Sequence, residues 1–213
     1  MTIAETIKPI QLLKGSHADT GTTGQGCFMN VIAYLNGEPQ ITDESECVCF
    51  VVRPIAIWLN DFLKDRERAR MIPYIERAMG SRSMERSVFV PRAEAAARFA
   101  QKCNAIAQES AARAESAAWA AWAASAASAE SAARAASAAS AARAAIAARA
   151  ESAESAARAE SAAIAARAAR AKYEQRRQQI IEAAFAFLDE ALPQAIAHPP
   201  IVQERAQKLA ALA

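Results

Sequence analysis

The stretch Ser110–Lys172 reads SAA-RAE-SAA-WAA-WAA-SAA-SAE-SAA-RAA-SAA-SAA-RAA-IAA-RAE-SAE-SAA-RAE-SAA-IAA-RAA-RAK, 21 triplets in an unbroken frame. Alanine holds the middle position of every triplet, from Ala111 to Ala171. The third position is almost always Ala or Glu, and the first is Ser, Arg, Trp or Ile. Alanine is the strongest helix former, so the tract predicts helix along its length. It says much about shape and little about chemistry.

A period of three does not divide evenly into an α-helix. At about 3.6 residues per turn, every third residue lags by about 60°, and a column winds round the axis, returning after about 18 residues. Ile146 and Ile164 then share a face, while Trp119 and Tyr173 point to the opposite side. The tract becomes a screw with one raised thread and two low alanine threads, and rows at this spacing are one of the ridge sets that pack into another helix. In a 3₁₀-helix the columns would be straight faces, but such runs seldom exceed about four residues. Charge spacing does not separate the two: Glu109–Arg113, Glu130–Arg134 and Glu154–Arg158 match α-helical pairing no more often than chance allows. The α-helix is favoured and a long 3₁₀-helix is the alternative. Expansion of a triplet repeat by codon slippage would give the same pattern without any packing role.

Outward from the tract, large apolar residues gather in 1–90 and again in 173–213, where a core can form. Cys27–Leu35 (CFMNVIAYL) predicts a helix stopped by Asn36-Gly37. Thr20–Gly26 reads as loop. Cys47–Val52 is too short to decide between strand and buried helix. Pro54 suits the first turn of a helix carrying Ile55, Trp58, Leu59 and Phe62 on one face. Met71–Met79 predicts a short helix, and Pro91 suits the first position of the long one. After the tract, Ile180, Ile181, Ala184, Phe185 and Leu188 recur at helical spacing up to Pro193, and Val202, Ala206, Leu209 and Leu212 mark a helical tail. The expected architecture is mainly α: an α-rich head (1–90), an alanine-rich helical rod (91–172) and C-terminal amphipathic helices (173–213). As an α-helix the rod would span about 95 Å, and as 3₁₀ about 126 Å.

Charge narrows the partners. With 25 basic and 23 acidic residues the net charge is +2, which gives no electrostatic case for nucleic acid or an anionic membrane. No block of about 18 uncharged apolar residues occurs, and MTIAETIKPIQLL lacks the basic and apolar regions of a secretory signal. A cytoplasmic protein is the expectation. Four cysteines in 213 residues do not suggest a disulfide framework.

One constellation could carry chemistry. His17, Cys27, Cys47 and Cys49 offer three thiols and an imidazole, a Cys₃His zinc set, although a single Cys-Val-Cys pair is poor zinc spacing. The favoured reading is that Cys27, Cys47 and Cys49 are small buried apolar residues, so no cofactor is expected and zinc is the alternative. A catalytic thiol would need a base, and only His17 and His198 are available. Thr20–Gly26 resembles a phosphate loop only in its glycines. Asp43, Glu44 and Glu46 read as an acidic, solvated turn. Trp119 and Trp122 are neighbours on one helical ridge and are expected to bury against a partner helix.

The segment G26-C-F-M-N-V-I-A-Y-L-N-G-E-P39, with T42-D-x-x-x-C-V-C49 and W58-L-N-D61, resembles an uncharacterised domain of bacterial and bacteriophage proteins. That domain has the form G-x-C-x-M-N-x-x-A-Y-x-x-G-E-P-x-x-D-x-x-x-C-V-C-P, often begins with Gly-Ser-His, here at 15–17, and often precedes an alanine-rich triplet repeat. The likeness covers about residues 12–82 and departs at Phe50, where the pattern has proline. It implies a bacterial or phage-infected cytoplasm and a shared head, and supplies no catalytic residues. The expected function is structural: self-association through the repeat, with Trp119, Trp122, Ile146, Ile164, Ala141, Ala144 and Ala147 as contact residues. The alternative is a metal- or thiol-dependent enzyme in the head, multimerised by the repeat.

Overall fold

The computed structural model describes residues 2–136, 144–192 and 197–213, and within the tract the side chains at 110, 113–159 and 161 lie outside that description. The fold is mainly α, with no strand among the described residues and a single parallel bridge between Leu12 and Gly26. The chain divides into two compact units, Met1–Lys102 with Ile181–Ala213, and Cys103–Ile180.

The first unit is built around α3 (Phe28–Asn36), whose Phe28, Met29, Val31, Ile32, Ala33 and Leu35 are all fully buried. A helix apolar on every side belongs at the centre of a core. It packs against α4 (Val52–Phe62), α6 (Ile72–Ala78), α9 (Pro200–Leu212) and the one-turn α2 (Thr20–Thr23). The remaining short elements are α1 (Ile3–Thr6), α5 (Asp65–Arg68) and a 3₁₀ turn at Ala69–Met71. Each large side chain buried here contributes about 1.5–3 kcal/mol of transfer free energy. Gly37 ends α3 in the left-handed conformation at φ +76°, and the Arg205 guanidinium lies where a side chain at that position would begin.

The last turns of α8 (Ala144–Ala191) belong to this unit from Ile181 onward. Ile181, Ala184 and Leu188 are fully buried, Phe185 lies 5.6 Å from Tyr74 and Phe187 lies 5.9 Å from Phe99. The segment expected to stand apart as 173–213 therefore starts contributing to the head's core at Ile181. Polar residues at 174–179 separate that apolar stripe from Tyr173. The long helix α7 (Arg86–Ala136) starts five residues before Pro91, so the proline is internal and not initial as expected. Only one intrahelical bond is forfeited there. Phe89, one turn inside the helix start, stacks on Phe50 at 4.9 Å and anchors the residues ahead of the proline.

Arginines finish the helices of this unit. Arg68 Nε donates to Asn60 O at the end of α4 (2.8 Å), and Arg205 donates to Leu35 O at the end of α3 (3.1 Å). Arg92 and Arg77 donate to Ala191, Asp189 and Leu192 carbonyls at the end of α8. A cation on the last carbonyls satisfies orphan acceptors and complements the helix dipole. Among the described residues no buried side-chain nitrogen or oxygen lacks a partner.

In the second unit the described backbone of the tract is α-helical, to Ala136 in α7 and from Ala144 in α8. The 3₁₀ alternative is corrected for those residues: alanine propensity and better hydrogen-bond geometry outweigh the fit of a three-residue period to three residues per turn. Residues 162–173 of α8 are exposed without exception, with Ile164 59 % and Tyr173 57 % accessible.

Candidate functional site

The polar centre of the head starts at the first turn of α3. Cys27 caps the helix in an extended conformation, its Sγ accepting from Asn30 N at 3.4 Å while Asn30 Oδ1 accepts from Cys27 N at 3.3 Å. This is the reciprocal capping-box arrangement, with cysteine and asparagine in place of the usual Ser/Thr and Glu/Gln. Asn30 is fully buried and uses both ends of its amide. Its Oδ1 also accepts from His17 N at 2.7 Å, and its Nδ2 donates to Asp43 Oδ1 at 3.1 Å and Ser16 Oγ at 3.4 Å. One side chain thus ties the 16–17 loop, the start of α3 and the Asp43 turn together.

Asp43 also accepts from the Cys27 thiol at 3.1 Å. Burial pushes that thiol up to about 12, and the neighbouring Asp43 carboxylate adds to the shift. Cys27 is therefore a protonated donor at neutral pH. On the other side, Asn60 donates to Leu13 O at 2.9 Å and Asp61 Oδ1 at 3.1 Å, and accepts from Phe28 N at 3.2 Å. Asp61 accepts from Gly15 N at 2.9 Å. Cys27, Asp43, Asn60 and Asp61 face a cleft of about 10 Å³, completed by Gly15, Phe28, Met29 and Ile57. That is room for one water molecule and not for an organic substrate.

The residues of the zinc alternative have other partners. The His17 ring donates through Nε2 to Lys14 O at 3.0 Å, and its backbone meets Asn30. Cys47 Sγ lies 3.1 Å from Ser45 Oγ, which itself donates to the Glu38 carboxylate. Burial raises the Cys47 thiol as well. Cys49 is fully buried, its amide donating to Ser81 Oγ at 3.0 Å. All four cysteines are free, and among the described residues no three of His, Cys, Asp and Glu gather as a metal-holding group. The set His17, Cys27, Cys47 and Cys49 is not gathered among the described residues: His17 and Cys27 meet through Asn30, while Cys47 is held by Ser45 and Cys49 by Ser81.

Of the acidic turn, Asp43 faces inward, while Glu44 and Glu46 are exposed, Glu46 in a surface ion pair with Arg82 at 3.3 Å. Thr20–Thr23 forms one helical turn ended by left-handed Gly24 and not an open loop. Among the tract residues named as contacts, Ile164 is exposed. Ala144 and Ala147 lie on the described α8 backbone, the side chains of Trp119, Trp122 and Ile146 lie outside the description, and Ala141 lies outside it altogether.

Sequence reasoning missed Asn30, Asn60 and Asp61 as site residues. The available signal was a lone amide inside each of the apolar runs CFMNVIAYL and IAIWLND, since a buried amide must find partners. The cleft is suited to holding loops in register around one small polar molecule. Comparison with known protein families, curated proteins and solved structures gives no match for this chain. No helix among the described residues is long and apolar enough to cross a membrane.

Proposed function

We propose that the protein is a structural or interaction protein that self-associates through its alanine-rich repeat and presents the Met1–Lys102 and Ile181–Ala213 unit as a head. The observation that carries this reading is the uninterrupted exposure of residues 162–173, more than three helical turns with no covered side. Over 162–173 the stretch is otherwise alanine, arginine and lysine, and Ile164 and Tyr173 stand exposed on it as apolar surface that a partner would cover. Alanine threads admit close backbone approach, so another copy of the same screw is a suitable cover. The likeness of residues 12–82 to bacterial and phage domains that precede such repeats supports the same division of labour. The enzyme alternative draws no support from the cysteines, since Cys27 keeps its proton and its cleft admits only a water molecule.

The test compares two leucine triples by sedimentation and thermal melts. Leucine at Ala141, Ala144 and Ala147 fills the middle column and should dissociate the assembly, since overpacking a close interface costs about 1–3 kcal/mol per site. Leucine at Ala142, Ala145 and Ala148 fills the third column and should be milder. Equal behaviour of the two triples, or a monomeric parent protein, rejects the proposal.

A further inference from the structure

A second cavity of about 380 Å³ opens in the head unit, lined by Thr2, Ile3, Glu5, Glu76, His198 and Gln203, with Ala197 and Pro199 completing its wall. Its volume falls in the range of small-molecule sites. Three distant stretches of chain meet here: α1 with its cap, α6, and the residues leading into α9.

Hydrogen-bond bookkeeping gives the cavity a chemical sign. Three donors at its wall are used within the fold, Thr2 N to Glu5 Oε2 at 2.7 Å, Ala4 N to Glu76 Oε2 at 3.2 Å, and Gln203 Nε2 to Thr6 Oγ1 at 2.7 Å, while among the described residues the Thr2 hydroxyl hydrogen and the second Gln203 Nε2 hydrogen are left over. His198 Nε2 lies 3.0 Å from Glu76 O, and a carbonyl only accepts, so Nε2 carries the proton. The acceptors left over among the described residues are Oε1 of Glu5, Oε1 of Glu76 and Oε1 of Gln203, two of them on carboxylates. Hydrogen bonds from Thr2 hold the Glu5 carboxyl below its ordinary range, with the amino-terminal ammonium and then Lys8 as weaker contributors, so it is ionised at neutral pH. Ile3, Ala197 and Pro199 add apolar surface beside these oxygens.

We infer that this cavity is a binding site for an alkylammonium group, the ammonium hydrogens meeting the Glu5, Glu76 and Gln203 oxygens and the alkyl stem lying on Ile3, Ala197 and Pro199. The ligand class is a primary aliphatic amine, supplied either as a free amine or as a lysine side chain of another protein. It is independent of the self-association proposed above.

The experiment titrates the full-length protein with putrescine, with Nα-acetyl-lysine amide and with uncharged 1,4-butanediol, following binding by calorimetry and ¹H–¹⁵N chemical shifts. Both amines should bind saturably with shifts at Glu5, Glu76 and Gln203, and butanediol should not. Tighter binding of putrescine assigns the site to free amines, and tighter binding of the lysine derivative assigns it to a protein side chain. Glu76→Gln keeps an oxygen for Ala4 N and Glu5→Gln keeps the capping box, so both variants should fold and each should weaken amine binding about tenfold or more. Absence of saturable amine binding to the parent protein overturns the inference. So do equal affinities for parent and both variants, or butanediol binding as well as putrescine.

Discussion

The head and the alanine tract are both helical, yet they are held by opposite means. In the head, helices as short as four residues persist because their neighbours hold them: α1 has its Thr2–Glu5 capping box and packs on α6 and α9. In the tract, helix continues for tens of residues where side chains at 162–173 touch nothing that covers them. Short helices need tertiary contacts to exist, whereas alanine supplies the backbone propensity that makes a long one self-sufficient. A perturbation of packing should therefore be costly in the head and nearly silent in the tract of a single chain.

The largest effect is expected at Asn30. Asn30→Ala removes the amide that joins His17 N, Cys27 N, Asp43 and Ser16, and each buried group left unsatisfied costs about 1–3 kcal/mol. Chemical denaturation should show at least about 3 kcal/mol of lost stability in the transition reporting the head. A loss under about 1 kcal/mol would mean that solvent replaces the amide freely and that the polar centre does not organise the loops.

Cys27 gives a pH-dependent version of the same contrast. Its thiol is pushed up to about 12 from an ordinary value of 9.0, so the folded head holds the proton more tightly than the unfolded chain. The stabilisation is complete below about pH 9 and is lost as pH rises toward 12, since the unfolded state releases the proton first. Between those limits the parent protein should lose stability relative to Cys27→Ser by up to about 1.4 kcal/mol per pH unit. Parallel pH profiles for the two would contradict the buried, protonated thiol. At pH 7–8 the same thiol should resist alkylation while the head is folded.

How far all this was legible in the sequence differs between the regions. The tract announced itself, and its helix type followed from alanine's propensity once packing was set aside. In the head, the α3 boundaries were readable from Gly37 and the apolar density of 27–35, and α6 from Pro73 near its start. The start of α7 was not, because Pro91 is a familiar opening residue and the aromatic stack of Phe50 on Phe89 joins residues far apart in sequence. The zinc alternative for the cysteines shows the same limit. Residue type suggested a shared ion, whereas Cys27 is placed by Asp43 and Asn30, Cys47 by Ser45, and Cys49 by the buried turn at Ser81. Those partners are set by tertiary packing, which spacing along the chain does not encode.

The smallest expected effect on a single chain, and the one that sharpens the comparison most, is at Ile164. This side chain is 59 % exposed on α8, and substitutions at exposed positions without special partners usually stay within about 0.5 kcal/mol. Ile164→Ser should thus leave the helical signal and melting of dilute protein almost unchanged, since serine costs little more than isoleucine in a helix. Self-association separates the two accounts of the tract. An isoleucine that meets another copy loses buried apolar area when replaced by serine, at about 25 cal/mol per Å², so the sedimenting species should shift toward monomer at concentrations where the parent protein is assembled. An isoleucine left behind by repeat expansion has no such contact, and the two sedimentation profiles would coincide. Coincident profiles together with equal leucine triples would leave the tract as helix without an interface, stable by propensity alone.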